Sequence, residues 1–340
     1  LLGHHPSIAV WCAHNEPSLL GDTRAKGFGS SIVRNVLQQQ RPTWNKSILD
    51  RWVKRAFETA DETRSVVAHS GVAPHLPQLD GTDSHLFFGW YHGDAADIDG
   101  FAATMPRMVR FVSEFGAQSV PDNADFMHPE EWPALDWEAL AVHHGLQLDP
   151  FERHVPPGDH ANFDSWRDAT QKYQAEVLRH HIETFRRLKY HPTGGFCFLG
   201  LYDPAPSVSW GVLDHLRRPK PAYHAVTEAC QPVIVVADRL PSSVVAGEAI
   251  ALDVHVVSDL RVLLEGVLCT ATLRWPGGNH QWSWRGDVPP DSCVRVGTAQ
   301  FVVPDVAGGL WFDLTLEHPD AAATNRYTGT VEPRLVRDLT

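Results

Sequence analysis

Two glutamates of this chain stand in matching settings. Residues 7–11 form a short apolar run with β-branched Ile8 and Val10, preceded by Pro6 and followed at a distance by Pro17. A run that short and that bounded by proline predicts a buried strand rather than a helix. It leads straight into Asn15 and Glu16, so an amide and a carboxylate fall at the C-terminal end of the strand. Residues 110–116 repeat the pattern: an apolar run ends in Glu114, and Gly116 follows at once. In a β/α barrel that end of the strands carries the chemistry, while the opposite end carries stability. Two carboxylates on one rim suit the hydrolysis of a glycosidic bond, where one attacks or activates water and the other moves a proton. Their separation of 114 − 16 = 98 positions is no obstacle, because strand tips share the rim. Taken singly, either Glu reads equally well as a solvated loop acid; the pairing is what points to chemistry.

These stretches resemble glycoside hydrolase family 2. The first, from His5-Pro6-Ser7-Ile8 through Trp11 to Asn15-Glu16, is similar to the end of the family's fourth barrel strand, which carries its acid/base Glu. The second, Ser113-Glu114-Phe115-Gly116-Ala117-Gln118-Ser119-Val120-Pro121, resembles the end of the seventh strand with the nucleophile, and looks most like the β-mannosidase branch. A third, Ser209-Trp210-Gly211-Val212-Leu213-Asp214 leading to Arg218-Pro219-Lys220-Pro221-Ala222-Tyr223, is similar to the segment that closes the barrel. The resemblance implies a retaining exo-β-glycosidase with Glu114 as nucleophile, Glu16 as acid/base and no cofactor. Retention requires carboxyl groups about 5–5.5 Å apart. For Glu16 to hold a proton near neutrality, partial burial and the charge of Glu114 must raise its pKa.

The same resemblance places Asn15 on the sugar 2-hydroxyl and lets Tyr91 or His92 orient Glu114. It makes Trp210 a wall of the sugar site and Asp203 a partner of sugar hydroxyls. A turn Asn, packing aromatics and a loop acid are the plainer alternatives. Two positions depart from the pattern. His14 stands where the mannosidase branch usually has Asn, and Leu199 where the last strand usually carries Trp. The sugar therefore stays open between a β-mannoside, which leads, and a β-galactoside or β-glucuronide. A non-catalytic carbohydrate-binding remnant is the alternative of a different class.

The elements that must position these residues alternate. Strands are expected at 64–69, 85–92, 110–114 and 194–202, besides the first. Helices are expected near 32–39 and at 44–63, 97–107, 163–190 and 220–230. In the helix at 44–63 the apolar residues recur every three to four positions. In the longest, 163–190, Asp164 is expected to cap the N-terminus. Strand alternating with helix predicts α/β architecture with a parallel sheet. Aligned by the resemblance, the five strands are the fourth to eighth of a (β/α)8 barrel, so residues 1–230 are expected to be the C-terminal part of a TIM barrel. From 231 to 340 short runs separated by Gly, Pro and Asp turns, with apolar–polar alternation at 250–257, predict an all-β immunoglobulin-like sandwich.

The chain opens at Leu1 on the edge of a strand, which reads as the downstream piece of something longer, with the first half of the barrel required for activity. No charged leader or cleavage site precedes the first strand, so a cytoplasmic location is expected. Lys plus Arg against Asp plus Glu gives 29 − 41 = −12, and no basic block stands out, which argues against nucleic acid or an anionic membrane as partner. No apolar run approaches the roughly 20 residues that span a bilayer. The expected partner is a carbohydrate, and twelve Trp supply flat apolar faces that suit pyranose rings, though most are expected in the core. The five Cys are far apart and lack C-x-x-C spacing, so neither a disulfide framework nor a zinc site is expected; Cys12 and Cys197 read as small buried hydrophobes. The histidine doublets at 4–5, 143–144 and 180–181 match no metal-binding spacing.

Overall fold

A computed structural model describes residues 3–16, 44, 48–71 and 83–333. The chain divides into two compact units: Leu1–His181 with Tyr190–Tyr223, and Ile182–Lys189 with His224–Thr340. The expected helix near 32–39 lies outside the described residues.

The first unit is mixed α/β, and its strands are short and parallel. β1 (Val10–Cys12) pairs with β2 (Ser65–Val67), and an isolated parallel bridge from Asn15 to Ser70 continues that pairing past the strand ends. β3 (Ser84–His85), β4 (Phe111–Glu114) and β5 (Gly195–Phe196) form a second parallel sheet in that order. Between them come helices α1 (Asp50–Ala60), α2 (Asp97–Thr104), α3 (Trp137–His144), α4 (Leu148–His154) and α5 (Phe163–Arg187), the last entering the second unit from Ile182. One core gathers around the first half of α5: Trp90 and Trp166 are buried with Phe151, Phe163, Met127 and Val177, and Trp132 and Trp137 pack on Trp166 at 5.4 and 5.7 Å between ring centroids.

Several expectations are corrected. The strand expected at 85–92 stops at His85, because the carbonyl of Phe87 accepts from the amides of Trp90, Tyr91 and His92 and Gly89 turns at φ +75°. Its apolar residues are buried by a tight turn instead of a sheet. The strand expected at 194–202 shrinks to β5 in the same way, with Gly200 at φ +89°. The helix expected from 44 to 63 is regular only over α1, and its apolar stripe is not buried among the described residues: Ile48 is 40% and Trp52 62% exposed. Helix α5 is capped by Asn162, whose Oδ1 accepts from Ser165 N at 2.9 Å, while Asp164 is the helix's second residue and binds Arg167. Cys12 and Cys197 are exposed, like Val10 and Phe111 beside them, because no described residue covers that face of β1, β4 and β5. Helices α3 and α4 were not foreseen, since so short a segment gives periodicity little to act on.

The second unit is reached through α6 (Pro221–Ala229), whose Pro221 stands at the N-terminal position that tolerates a missing N–H. It comprises β6 (Val233–Ala237), β7 (Ser243–Val245), β8 (Ala249–Ser258), β9 (Leu264–Trp275), β10 (Gly278–Val288), β11 (Ser292–Val302), β12 (Gly308–His318) and β13 (Ala321–Glu332). Two sheets result, ordered β10-β9-β12-β13-β7 and β11-β8-β6, antiparallel except where β7 joins β13. Alternate residues of both, among them Val254, Val256, Leu273, Phe312 and Leu314, bury into one shared core. Among the described residues no helix is long and apolar enough to cross a membrane.

Candidate active site

Glu16 and Glu114 come together. β1 delivers Glu16, whose backbone N–H donates to Ser70 O at 3.0 Å and whose φ of +42° turns it out of the strand direction. β4 delivers Glu114, whose carbonyl accepts from Leu86 N at 2.9 Å, locking β4 to the chain leaving β3. One oxygen of each carboxylate and a ring nitrogen of His85 all lie within 4.8 Å of one another. Both carboxylates remain partly open, at 27% and 23% side-chain exposure, so a ligand can reach them.

His85, which the sequence did not single out, links the pair. Its Nδ1 is 2.5 Å from Glu16 Oε1 and 3.5 Å from Glu114 Oε2, and its Nε2 is 3.0 Å from Ser70 Oγ. With Asp83 and Glu16 both ionised, hydrogen counting makes the ring a cation. Asp83 accepts from both Ser70 Oγ, at 2.5 Å, and Ser113 Oγ. A carboxylate only accepts, so the single hydroxyl hydrogen of Ser70 goes to Asp83 and Ser70 Oγ must accept from His85 Nε2. With Nδ1 donating to Glu16, both ring nitrogens carry hydrogen and the ring is an imidazolium. Burial pushes this ring down, but the hydrogen bond to Glu16 and the charges of Glu114, Glu16 and Asp83 outweigh it and hold its pKa above the ordinary value. Glu114 is itself pushed up, first by burial, against the pull of His85, with Glu16 and Asp83 adding to the rise.

The segment after Glu114 is held by α5. Gln174 Nε2 donates to Ala117 O and to Trp210 O, both at 3.0 Å, and its Oε1 accepts from Ser119 Oγ at 2.7 Å. Gln118 donates to Gly145 O and accepts from Gln147 N. Buried amides with all their partners supplied make a rigid mount, so the tail of the 113–121 stretch has a structural task. Gly116 permits the turn at φ +139°, a value side chains rarely adopt.

The remaining expected residues divide. Asn15 is exposed on the same rim, one residue from Glu16. Burial raises the pKa of Tyr91, with smaller pushes from the charges of both carboxylates, and its hydroxyl accepts from Gln147 at 2.8 Å, leaving its own hydrogen to donate. Trp210 packs edge-on to Phe87 at 6.5 Å between centroids, and its ring lies 3.7 Å from the site of a Cβ on Gly116. His92 lies beside Tyr91, at 6.5 Å between ring centroids, and burial with the neighbouring Arg153 lowers its pKa. Asp203 is 3% exposed, binds Ser209, and shares a buried cluster with Lys220 and Asp214. Burial holds the Lys220 ammonium down to about 8. Asp203 is therefore turned into the protein and not toward the rim.

A divalent ion would find one oxygen from each carboxylate and His85 Nδ1 in reach, but that nitrogen already bears the hydrogen given to Glu16. None of the histidine doublets takes part. Ser70, Asp83, His85 and Ser113 are polar residues on three segments, and only the strand register assembles them.

No protein-family model matches the chain. It is 26% identical over 298 residues to β-mannosidase A of Aspergillus niger, covering 76% of this chain and 31% of that protein. It is 25% identical over 265 residues to β-mannosidase B of Emericella nidulans, covering 69% and 29%. The chain thus spans about a third of the length of the curated relatives it matches. Two solved structures share its fold with a TM-score of 0.65: a β-D-mannosidase from Dictyoglomus thermophilum, 22% identical and matched over 97% of this chain and 39% of its own, and an exo-chitosanase of Amycolatopsis orientalis, 16% identical and matched over 96% and 37%. At those identities the likeness is one of fold. Sequence and fold agree with the resemblance carried by the three stretches: the chain is similar to the β-mannosidase-like branch of glycoside hydrolase family 2.

Proposed function

We propose that this chain carries the catalytic carboxylates of a retaining exo-β-glycosidase, acting first on β-mannosides. The observation that supports it is the pair itself, two partly open carboxylates whose oxygens approach within 4.8 Å across His85. That separation suits retention, since inversion needs a gap of about 6.5–9.5 Å for a water. In the first step Glu114 Oε attacks the anomeric carbon while Glu16 protonates the departing oxygen. In the second, Glu16 removes a proton from water, which displaces Glu114 from the glycosyl ester. Burial and the mutual repulsion of the two carboxylates favour one proton shared between them, while His85, as a cation, steadies whichever carboxylate is ionised. Asn15 and Tyr91 offer hydrogen bonds to sugar hydroxyls on the same rim, and Trp210 gives the site an aromatic wall.

The finer fold reading goes with this. Five parallel strands with both glutamates at C-terminal ends suit strands four to eight of a β/α barrel. In the second unit the sheet orders β7-β13-β12-β9-β10 and β6-β8-β11 suit an immunoglobulin-like topology. The β-mannosidase name of the curated relatives favours a mannoside over the other sugars.

Trapping tests the chemistry. A 2-fluoro-β-mannosyl fluoride should add one glycosyl unit to the intact mass, with the label on the peptide holding Glu114 and absent from Glu114→Gln. Glu16→Gln should slow cleavage of substrates with poor leaving groups by roughly 10²–10⁴-fold and activated aryl mannosides far less. A label on any other residue would sink the nucleophile assignment.

A further inference from the structure

Within the second unit a cavity of about 410 Å³ is lined by Arg274, Trp275, Asn279, Trp311, Asp313 and Arg326. Strand register brings them together. Arg274 stands opposite Trp311 on β12 and opposite Asn279 on β10, and Asp313 stands opposite Arg326 on β13. Leu273, Leu310, Phe312 and Leu314, which alternate with them, go into the core, so Arg274, Asn279, Trp311, Asp313 and Arg326 share the outer face of the five-stranded sheet, while Trp275, in step with Leu273, lines the cavity from the strand end and packs partly against the core.

The polar groups are arranged in a particular way. The Asp313 carboxylate, 9% exposed, accepts from Arg326 Nε at 2.5 Å and lies 3.3 Å from Arg274 Nε. Each guanidinium is thereby held through Nε alone, which leaves the Nη groups of both, on side chains 56% and 60% exposed, for another partner. The pairing satisfies the nearly buried Asp313 and still leaves guanidinium donors over. Two Arg against one Asp leave the groove positive on a chain of net charge −12.

Two indoles complete it. A Cβ on Gly309 would come within 2.5 Å of the Trp311 ring, and one on Gly278 within 2.8 Å of the Trp275 ring. Each ring is seated on a glycine because that position has no side chain. The groove therefore offers fixed flat apolar faces and an excess of donors. A bare phosphate would use the guanidinium groups and leave the indoles idle. A neutral sugar would use the indoles and leave the positive charge unanswered.

We infer that this groove binds an acidic saccharide, with a uronate carboxylate on the guanidinium groups of Arg274 and Arg326 and a pyranose face on Trp311. Arg pairs with carboxylate in a two-pronged geometry, and an indole face suits the C–H side of a sugar. Asn279 reaches a ring hydroxyl.

Isothermal titration of the 340-residue chain with trigalacturonate and with mannotriose tests the inference. The uronate should bind, more weakly as salt is raised, and mannotriose should bind roughly tenfold less tightly or worse. Arg274→Gln and Trp311→Ala should each cost roughly tenfold with unchanged circular dichroism, and Trp311→Phe, which keeps a ring, should retain most of the binding. Glu114→Gln should leave it untouched, which separates this inference from the catalytic reading. No binding of trigalacturonate, equal binding of mannotriose, or binding that survives both substitutions would overturn it.

Discussion

Glu114 sits where its own charge is costly. Burial and the neighbouring Glu16 and Asp83 hold its pKa above the ordinary value of 4.5 against the pull of His85. A carboxyl raised in the folded state keeps its proton there after the unfolded chain has lost it. Its stabilising contribution is full below pH 4.5 and is lost as pH rises through the folded value. Glu114→Gln cannot ionise, so its melting temperature should match the parent in acid and exceed it modestly at neutral pH while activity is lost. His85, also raised, adds stability below its ordinary value of 6.5 that fades as pH passes the folded value. His85→Gln should therefore destabilise at pH 6 and converge with the parent in alkali. Thermal scans of the parent and both variants across pH check the two signs, and parallel curves would show that neither ring nor carboxyl is coupled as described. The two glutamates were legible in the sequence because each ends an apolar run in a recognisable stretch. His85 was not, since a lone histidine between Ser84 and Leu86 carries no spacing signal until β3 lies beside β4.

Among the elements, α5 matters most to the site, because Gln174, Gln171 and Thr170 on one of its faces hold residues 117–120 in place. Its first turn depends on Asn162, which binds the amide of Ser165 and satisfies one of the otherwise unpaired donors there. Asn162→Ala should cost about 1 kcal/mol, read as a fall in melting temperature, whereas Asp164→Ala should cost much less. Equal effects would return the cap to Asp164. The long stripe of α5 showed in the sequence because 25 residues give the helical period many turns to declare itself. β3 and β5 were overdrawn for the opposite reason. An apolar run such as Leu86–Trp90 records burial only, and a turn around the Phe87 carbonyl buries it as well as a strand would.

At the scale of the molecule the cysteines register which faces are covered. Cys12, Cys197 and Cys230 are exposed, Cys293 is half-buried with its thiol pushed up to about 11, and Cys269 is buried with its thiol pushed up to about 12. A thiol reagent should label the first three in the native chain, slowly at neutral pH because burial also raises their pKa, and Cys269 only on unfolding. Protection of Cys12 and Cys197 would show that something covers the open face of β1 and β5. The aromatic packing of the two units has a further, optical consequence. In the first, Trp90, Trp132, Trp137 and Trp166 gather in one cluster, and in the second, Trp275, Trp282 and Trp284 lie against a core of their own. Indoles so closely grouped pass excitation among themselves, so each unit emits with a colour set by its own interior. Heating the protein under ultraviolet light then becomes a way to watch the two units lose their packing one by one, with a Trp166→Phe variant telling which change of colour belongs to the unit that holds the carboxylates.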